Sequence, residues 1–315
     1  VERHDRIGRR LKLRDLHTFV TVVQRGSMAK AASALGLTQP AISKTIADME
    51  GTLGVRLLDR KPQGVEPTLF GQTLLKGGGS VFEELRHTVR EIESLADPAG
   101  GEVWIGATHP MVEGLLPAAI DPLSRENPRI VFHVTVAPNT AYQYDELRSR
   151  KLDLIIGRMP AESARDDLST EILFDEPQFV VAGVNNRWVG RRRLKLADLI
   201  DEPWVLPRPE YVGGSVVAKT FQASGLQLPR HGAICSSLQF TYALIATGRY
   251  LGLFPRSLLH FGASRYALKV LPVKLPITPP PVGIVTLKNR TIHPAAKLLI
   301  ESVRSTARSL ARRAI

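Results

Sequence analysis

Gln39, Ser43 and Lys44 bring an amide, a hydroxyl and an ammonium to the leading end of one stretch, Thr38 to Val55, reading TQPAISKTIADMEGTLGV. Thr38 is a good helix N-cap, and Pro40 falls in the first turn, where its missing N–H costs nothing. Ile42, Ile46, Met49 and Leu53 recur at spacings of four, three and four, which lays one apolar stripe along the back of a helix. No acidic residue precedes Asp48 to oppose the polar tip. Such a helix suits insertion into a DNA major groove. An ordinary amphipathic surface helix is the plainer account, and the helix alone does not choose between them.

A second group of polar residues is spread over the rest of the chain. Thr108-His109-Pro110, Pro138-Asn139-Thr140 and Gly157-Arg158 each follow an expected strand, where open α/β lobes gather ligands near helix N-termini. Thr108 and Thr140 can donate hydroxyl bonds to an anion, and Arg158 adds a planar fork suited to a carboxylate. Arg208, Ser236, Ser237 and Phe254 stand at later strand ends, and the strand-end rule turns them to the same cleft. Trp104, Tyr142 and Phe254 lie near that rim and admit a partly apolar ligand. The plainer account makes the threonines helix caps and Arg158 a bridge across a hinge.

No catalytic constellation accompanies these groups. The eight histidines lack metal-ligand spacing, and the single cysteine, Cys235, has no neighbouring histidine to make it a nucleophile. Neither G-x-S-x-G nor a phosphate-binding Gly-Lys-Ser/Thr occurs. The sequence therefore predicts a binding protein with no enzymatic activity, metal or cofactor. One cysteine in 315 residues excludes an internal disulfide framework and fits a reducing cytoplasm. The first ten residues, VERHDRIGRR, carry no apolar core of a secretory signal, and no apolar run is long enough for a bilayer. A net charge of +12 favours a polyanionic partner, although residues 1–67 hold only 12 basic side chains against 7 acidic ones.

The elements that must position these groups are legible in outline. Leu13, Leu16, Phe19, Val20 and Val23 share one helical face before a stop at Gly26. Ser27 opens a second helix with Met28, Ala31, Ala32 and Leu35 inward, Gly36 ends it, and Leu37 plugs the turn into the third. That is the form of a helix-turn-helix. Residues 56–66 read as a small hairpin, or wing, around Lys61-Pro62-Gln63. Thr68 caps a long helix whose positions 74, 78, 81, 85, 88, 92 and 95 alternate by four and three, a seam that calls for a partner helix. Gly77-Gly78-Gly79 interrupts it as either a bend or a close crossing, and the crossing, with the partner's backbone, is the expectation.

Pro98-Ala99-Gly100-Gly101 marks a boundary, beyond which strands and helices alternate. Strands are expected at residues 103–106, 130–136, 152–156, 178–184, 204–206, 232–235, 251–254 and 282–287. Helices are expected at 112–126, 141–151, 214–223, 238–247 and 294–312. The opening βαβαβ run predicts a parallel sheet wrapped by helices.

The run FVTVVQRGSMAKAASALGLTQPAISKTIADMEGTLGVRLLDR, followed by PTLFG, resembles the DNA-binding head of LysR-type bacterial transcriptional regulators, densely across residues 13–71. The resemblance implies an N-terminal all-α winged helix-turn-helix (1–67), a long linker and dimerisation helix (68–98), and a C-terminal bilobal α/β effector domain (99–315) like periplasmic binding proteins. It assigns Gln39, Pro40 and Ser43 to the major groove, Lys44 to phosphate or base edges, and the wing to the minor groove. Pro62-Gln63 departs from the Ser/Thr and basic residue frequent there, which leaves Arg60 and Lys61, with Thr68 behind them, as the wing candidates. It also places effector contacts at the strand ends named above and has the chain cross between lobes near 159–172 and 268–277. The implied partners are double-stranded DNA with a pseudo-palindromic operator, a small anionic effector such as a carboxylate, a second copy in a homodimer or homotetramer, and RNA polymerase.

Overall fold

The computed structural model describes residues 11–61, 64–96, 100–136, 140–159, 166–262 and 266–312. They form two compact units, Val1–Thr88 and Val89–Ile315.

The first unit opens with α1 (Leu13–Arg25), α2 (Met28–Leu35) and α3 (Gln39–Leu53). Phe19 and Val22 of α1, Ala31 and Ala32 of α2, and Ile42, Ile46 and Met49 of α3 close a single core. Leu13 and Leu37, expected inside, are about half exposed. The turn is closed by backbone instead, since Leu37 N–H donates to Ala32 O at 2.9 Å.

The wing is an antiparallel hairpin of β1 (Leu58–Lys61) and β2 (Gly64–Pro67). Two contacts hold it to the helices. Glu50 Oε1 on α3 accepts from Leu57 N at 2.7 Å and Leu58 N at 3.2 Å. Gly26 O accepts from Val65 N at 3.0 Å, and a Cβ on Gly64, whose φ is 140°, would stand 2.2 Å from that oxygen. Only glycine permits this approach.

Thr68 caps α4 (Leu69–Ala96) by accepting from Gly71 N at 3.1 Å. The helix runs unbroken through Gly77-Gly78-Gly79, and only the middle glycine is crowded. A Cβ on Gly78 would lie 2.8 Å from Leu16 Cδ1 on α1, whereas one on Gly77 or Gly79 would meet nothing within 4 Å. The crossing is therefore with the chain's own head, which corrects the expectation of a partner's backbone. Leu74 also packs on the head core, so the heptad seam divides. Its first half is filled internally, while Val81, Leu85 and Ile92 of the seam stand exposed at 42%, 43% and 60%, with Val89 beside them at 53%. The side chain of Leu95 lies outside the described residues.

The second unit holds two five-stranded sheets. The first contains β3 (Gly100–Ala107), β4 (Arg129–Val136), β5 (Leu154–Arg158), β6 (Leu168–Phe174) and, from the far end of the chain, β12 (Val282–Leu287), in the order β4-β3-β5-β12-β6. Its faces are covered by α5 (Leu116–Glu126) with α10 (Pro294–Arg312), and by α6 (Thr140–Arg148). The second contains β7 (Gln178–Gly183), β8 (Trp204–Leu206), β9 (Gly232–Ile234), β10 (Leu251–Pro255) and β11 (Leu268–Val270), in the order β11-β7-β10-β8-β9. Around it pack α7 (Val212–Ala223), α8 (Leu238–Ala246) and α9 (Arg256–Gly262).

Neither sheet is wholly parallel. Four strands of each run one way, but β12 runs antiparallel to β5 and β6, and β7 antiparallel to β10 and β11. Both exceptions enter their sheet from the other lobe, so the handed βαβ crossover does not constrain their direction. Strands β6 and β11 and helix α9 were not expected. Because β6 belongs to the first sheet, the first crossover is residues 175–177 rather than 159–172. The second runs from 271 to 281 and includes Pro279-Pro280-Pro281.

Candidate functional site

Two regions gather the residues singled out from the sequence. At the tip of α3, Thr38 Oγ1 accepts from Ala41 N at 3.4 Å, and Gln39, Pro40 and Lys44 stand exposed beside a half-buried Ser43. Thr45 is turned back on its own helix, donating to Ala41 O. An exposed amide and ammonium thus project from a helix whose back is locked into the core. On the wing, Lys61 pairs with Glu66 across the hairpin, an exposed pair of small worth that can be exchanged for a phosphate. The side chain of Arg60 and all of Pro62-Gln63 lie outside the described residues. Thr68 is engaged internally, its hydroxyl donating to Arg56 O at 2.8 Å while capping α4. Its part is to join wing and helix.

The second region is a cleft of about 890 Å³, its open mouth included, between the two lobes of the second unit. Thr108, His109 and Arg158 form one wall. The other is largely apolar, made by Val205, Val217, Leu253, Phe254 and Leu258, with Gln178, Cys235, Ser236 and Thr241 as polar points. Thr108 follows β3, and its carbonyl, not its hydroxyl, accepts from Met111 N and Val112 N as the chain enters a turn of wide π-helix, Met111–Leu115. That leaves the hydroxyl clear of capping duty. Burial lowers the His109 imidazole below its ordinary value, against the pull of Glu113, and so favours the neutral ring.

Arg158 is the last residue of β5 rather than a loop residue beyond it. Its Nη1 donates to Pro280 O at 2.8 Å and to Glu176 O at 3.4 Å, one carbonyl from each crossover. Arg158 therefore bridges the hinge and lines the cleft at once. A guanidinium has five N–H donors, so two bonds from Nη1 leave the Nε and Nη2 side for a ligand.

Other expectations are not gathered here. Arg208 pairs with Glu210 and does not line the cleft. Ser237 is exposed and spent as the N-cap of α8, accepting from Phe240 N. The backbone of Thr140 opens α6, but its side chain, with residues 137–139, lies outside the described residues. Of the three rim aromatics only Phe254 faces the cleft. Trp104 stacks on His133 at 3.8 Å, and Tyr142 is exposed. Sequence reasoning missed Gln178, Tyr211, Thr241 and Leu258 because the first starts a strand, the second caps the start of α7 and the others sit inside helices, places the strand-end rule does not inspect. Among the described residues no group of His, Cys, Asp and Glu could hold a metal, and no helix is long and apolar enough to cross a membrane.

Comparison with known proteins returns two family models. Residues 13–72 match the bacterial regulatory helix-turn-helix protein of the lysR family, and residues 96–308 match the LysR substrate binding domain. The transcriptional regulator GbpR of Azospirillum brasilense is 29% identical over 309 residues, 97% of this chain and 90% of that protein. The regulator TdcA of Escherichia coli K12 is 30% identical over 291 residues, covering 92% and 91%. Among solved structures, full-length CbnR complexed with its target DNA superposes with a TM-score of 0.68 at 20% identity, over 94% of this chain and all of that one.

Proposed function

Since the chain belongs to the LysR family of DNA-binding transcriptional regulators, with an effector-binding domain behind its helix-turn-helix, we propose that its effector is a small carboxylate with an apolar body, held in the cleft by Arg158. One observation carries this reading: a half-buried guanidinium on the cleft wall, with donors to spare, opposite a wall of aliphatic and aromatic side chains. Thr108 supplies a hydroxyl to the same anion. Residues 1–67 act as the DNA head, with Gln39 and Ser43 toward bases, Lys44 and Lys61 toward phosphates and Thr68 bracing the wing. Residues 68–98 pair two subunits on a pseudo-palindromic operator, and residues 99–315 take the effector. Work in the cytoplasm and contact with RNA polymerase fit a regulator of this kind.

The test is thermal shift and calorimetry with sugar acids, aromatic acids and dicarboxylates on wild type and Arg158→Ala. Loss of a charge-assisted bond costs about 1.5–3 kcal/mol, more than tenfold in affinity. Arg158→Ala should lose the ligand response and retain operator binding. Stabilisation by neutral ligands alone would overturn the carboxylate.

A further inference from the structure

Glu176 lies in the first crossover, between β6 and β7, and is 1% exposed. Its Oε1 accepts from the backbone N–H of Ser257 at 3.0 Å and from the Ser257 hydroxyl at 2.7 Å, both on α9. Its Oε2 is buried and has no hydrogen-bond partner among the described residues. The charged groups acting on it are Arg158, on β5, and Arg256, at the start of α9. Gln178, two residues along, also carries a buried oxygen without a partner. The carboxyl thus stands in the hinge, bonded through one oxygen only, and its backbone carbonyl is held by the arginine that lines the cleft.

An ionised carboxylate in such a place is costly, because burial strips its water and only one oxygen is compensated. Burial accordingly raises Glu176 above the ordinary carboxylate range, although Ser257, Arg158 and Arg256 all pull the other way. The balance rests on the neighbouring cations. With Arg158 unengaged, its positive charge favours an ionised Glu176. When a second anion takes up that guanidinium, Glu176 must share it and is left with Arg256 alone, so the balance in this low-dielectric site tips toward the protonated carboxyl.

We propose that Glu176 takes a proton from solvent when an anionic effector binds Arg158, so that effector and proton enter the hinge together. The inference rests on the carboxylate reading of the cleft. It makes Glu176 a positioning residue that sets the charge of the site: ionised, it cancels Arg158 and weakens anion binding; protonated, it releases Arg158 to the ligand. The response to a carboxylate should then sharpen as pH falls. Besides Cys235 and Tyr211, the titratable group on the cleft wall is His109, with Glu113 behind it, and its contribution is separable by mutation.

The experiment is calorimetry on the full-length protein with acetate, benzoate and succinate as probes and benzamide as the uncharged counterpart of benzoate. Titrations in two buffers of different ionisation enthalpy read the protons exchanged. Wild type should take up protons on binding a carboxylate, with affinity rising by up to about tenfold per pH unit fall across the range in which Glu176 exchanges its proton. Glu176→Gln keeps an oxygen for Ser257 and mimics the protonated form. It should bind the probe as tightly at the upper end of that range as wild type does at the lower end, without proton uptake. Infrared difference spectra of wild type give an answer that needs no variant, since a carboxylic-acid C=O band should grow on binding. Carboxylate binding with no proton uptake overturns the inference and leaves the cleft reading standing. Uptake that survives Glu176→Gln but vanishes in His109→Gln assigns the proton to the imidazole and likewise overturns it. If none of the three carboxylates binds, the cleft reading fails and takes this inference with it.

Discussion

Gln39 and Lys44 both stand exposed in the first two turns of α3 and are expected to do different work. Gln39→Ala should relax preference at one base pair at a cost of about 1–3 kcal/mol. Lys44→Ala should weaken all sites alike and reduce the salt dependence of binding. Footprints and salt titrations on matched operators separate the two, and unchanged specificity in Gln39→Ala would remove α3 from the groove. A different residue-scale device holds the first lobe. Asp153 is buried with Arg290 at 2.9 Å and His293 at 3.3 Å, and it also accepts from Trp104 N. Burial works to raise its carboxyl, but His293, the Trp104 N–H and Arg290 outweigh it and hold the group below the ordinary carboxylate range. A depressed folded value means the contribution is present above the unfolded value and is lost as pH falls through the folded one. Asp153→Asn should cost about 3–5 kcal/mol at neutral pH, since it leaves Arg290 buried without its counterion, and should flatten the acid limb of stability against pH.

The element that joins head to linker is α4, and its three glycines should answer differently to alanine. Gly77→Ala and Gly79→Ala each meet open space, so each should raise helix stability by about 1 kcal/mol. Gly78→Ala drives a methyl into Leu16 and should lose that gain or reverse it, whereas the same change beside Leu16→Ala should recover it. Melting temperatures of the single and double variants decide the matter. If Gly78→Ala alone stabilises as much as its neighbours, the crossing is not tight. This crossing also marks the limit of what the sequence makes legible. Heptad spacing identifies a face that needs covering but not what covers it, and here α1 takes Leu74 and Gly78 before any second subunit can. The head helices were readable because their core positions repeat at helical spacing with glycine stops. Strand β6, reading LSTEILF, was not, since its sheet neighbour β12 lies more than a hundred residues away. Arg158 was singled out for its fork, yet its bond to Pro280 joins segments remote in sequence, and Glu176 carried no local signal at all. A carboxyl of the first crossover buried against α9 exists only once both lobes are folded.

At the scale of the whole molecule, the exposed row Val81, Leu85, Val89 and Ile92 on α4 is the surface expected to meet a second subunit. Leu85→Asp should halve the sedimenting mass and abolish tight binding to a two-half-site operator, while the helix-turn-helix, whose core is its own, stays folded. A Leu85→Asp protein that still sediments as the wild-type oligomer places the interface elsewhere. The two sheets repeat one plan, three parallel strands and then an antiparallel one followed by an edge strand, although no repeat is visible in the sequence. The plan is completed in opposite ways. The second sheet is built from one continuous segment, 178–270, whereas the first waits for β12 and α10 from the end of the chain. On the ribosome, the second lobe can therefore finish before the first. Until residues 282–287 emerge, β5 and β6 have no strand between them and present open edges, the kind of surface that recruits wrong partners. A nascent chain stalled before β12 should already protect the second lobe from protease while the first remains open to it. The lobe translated first is thus the last to close.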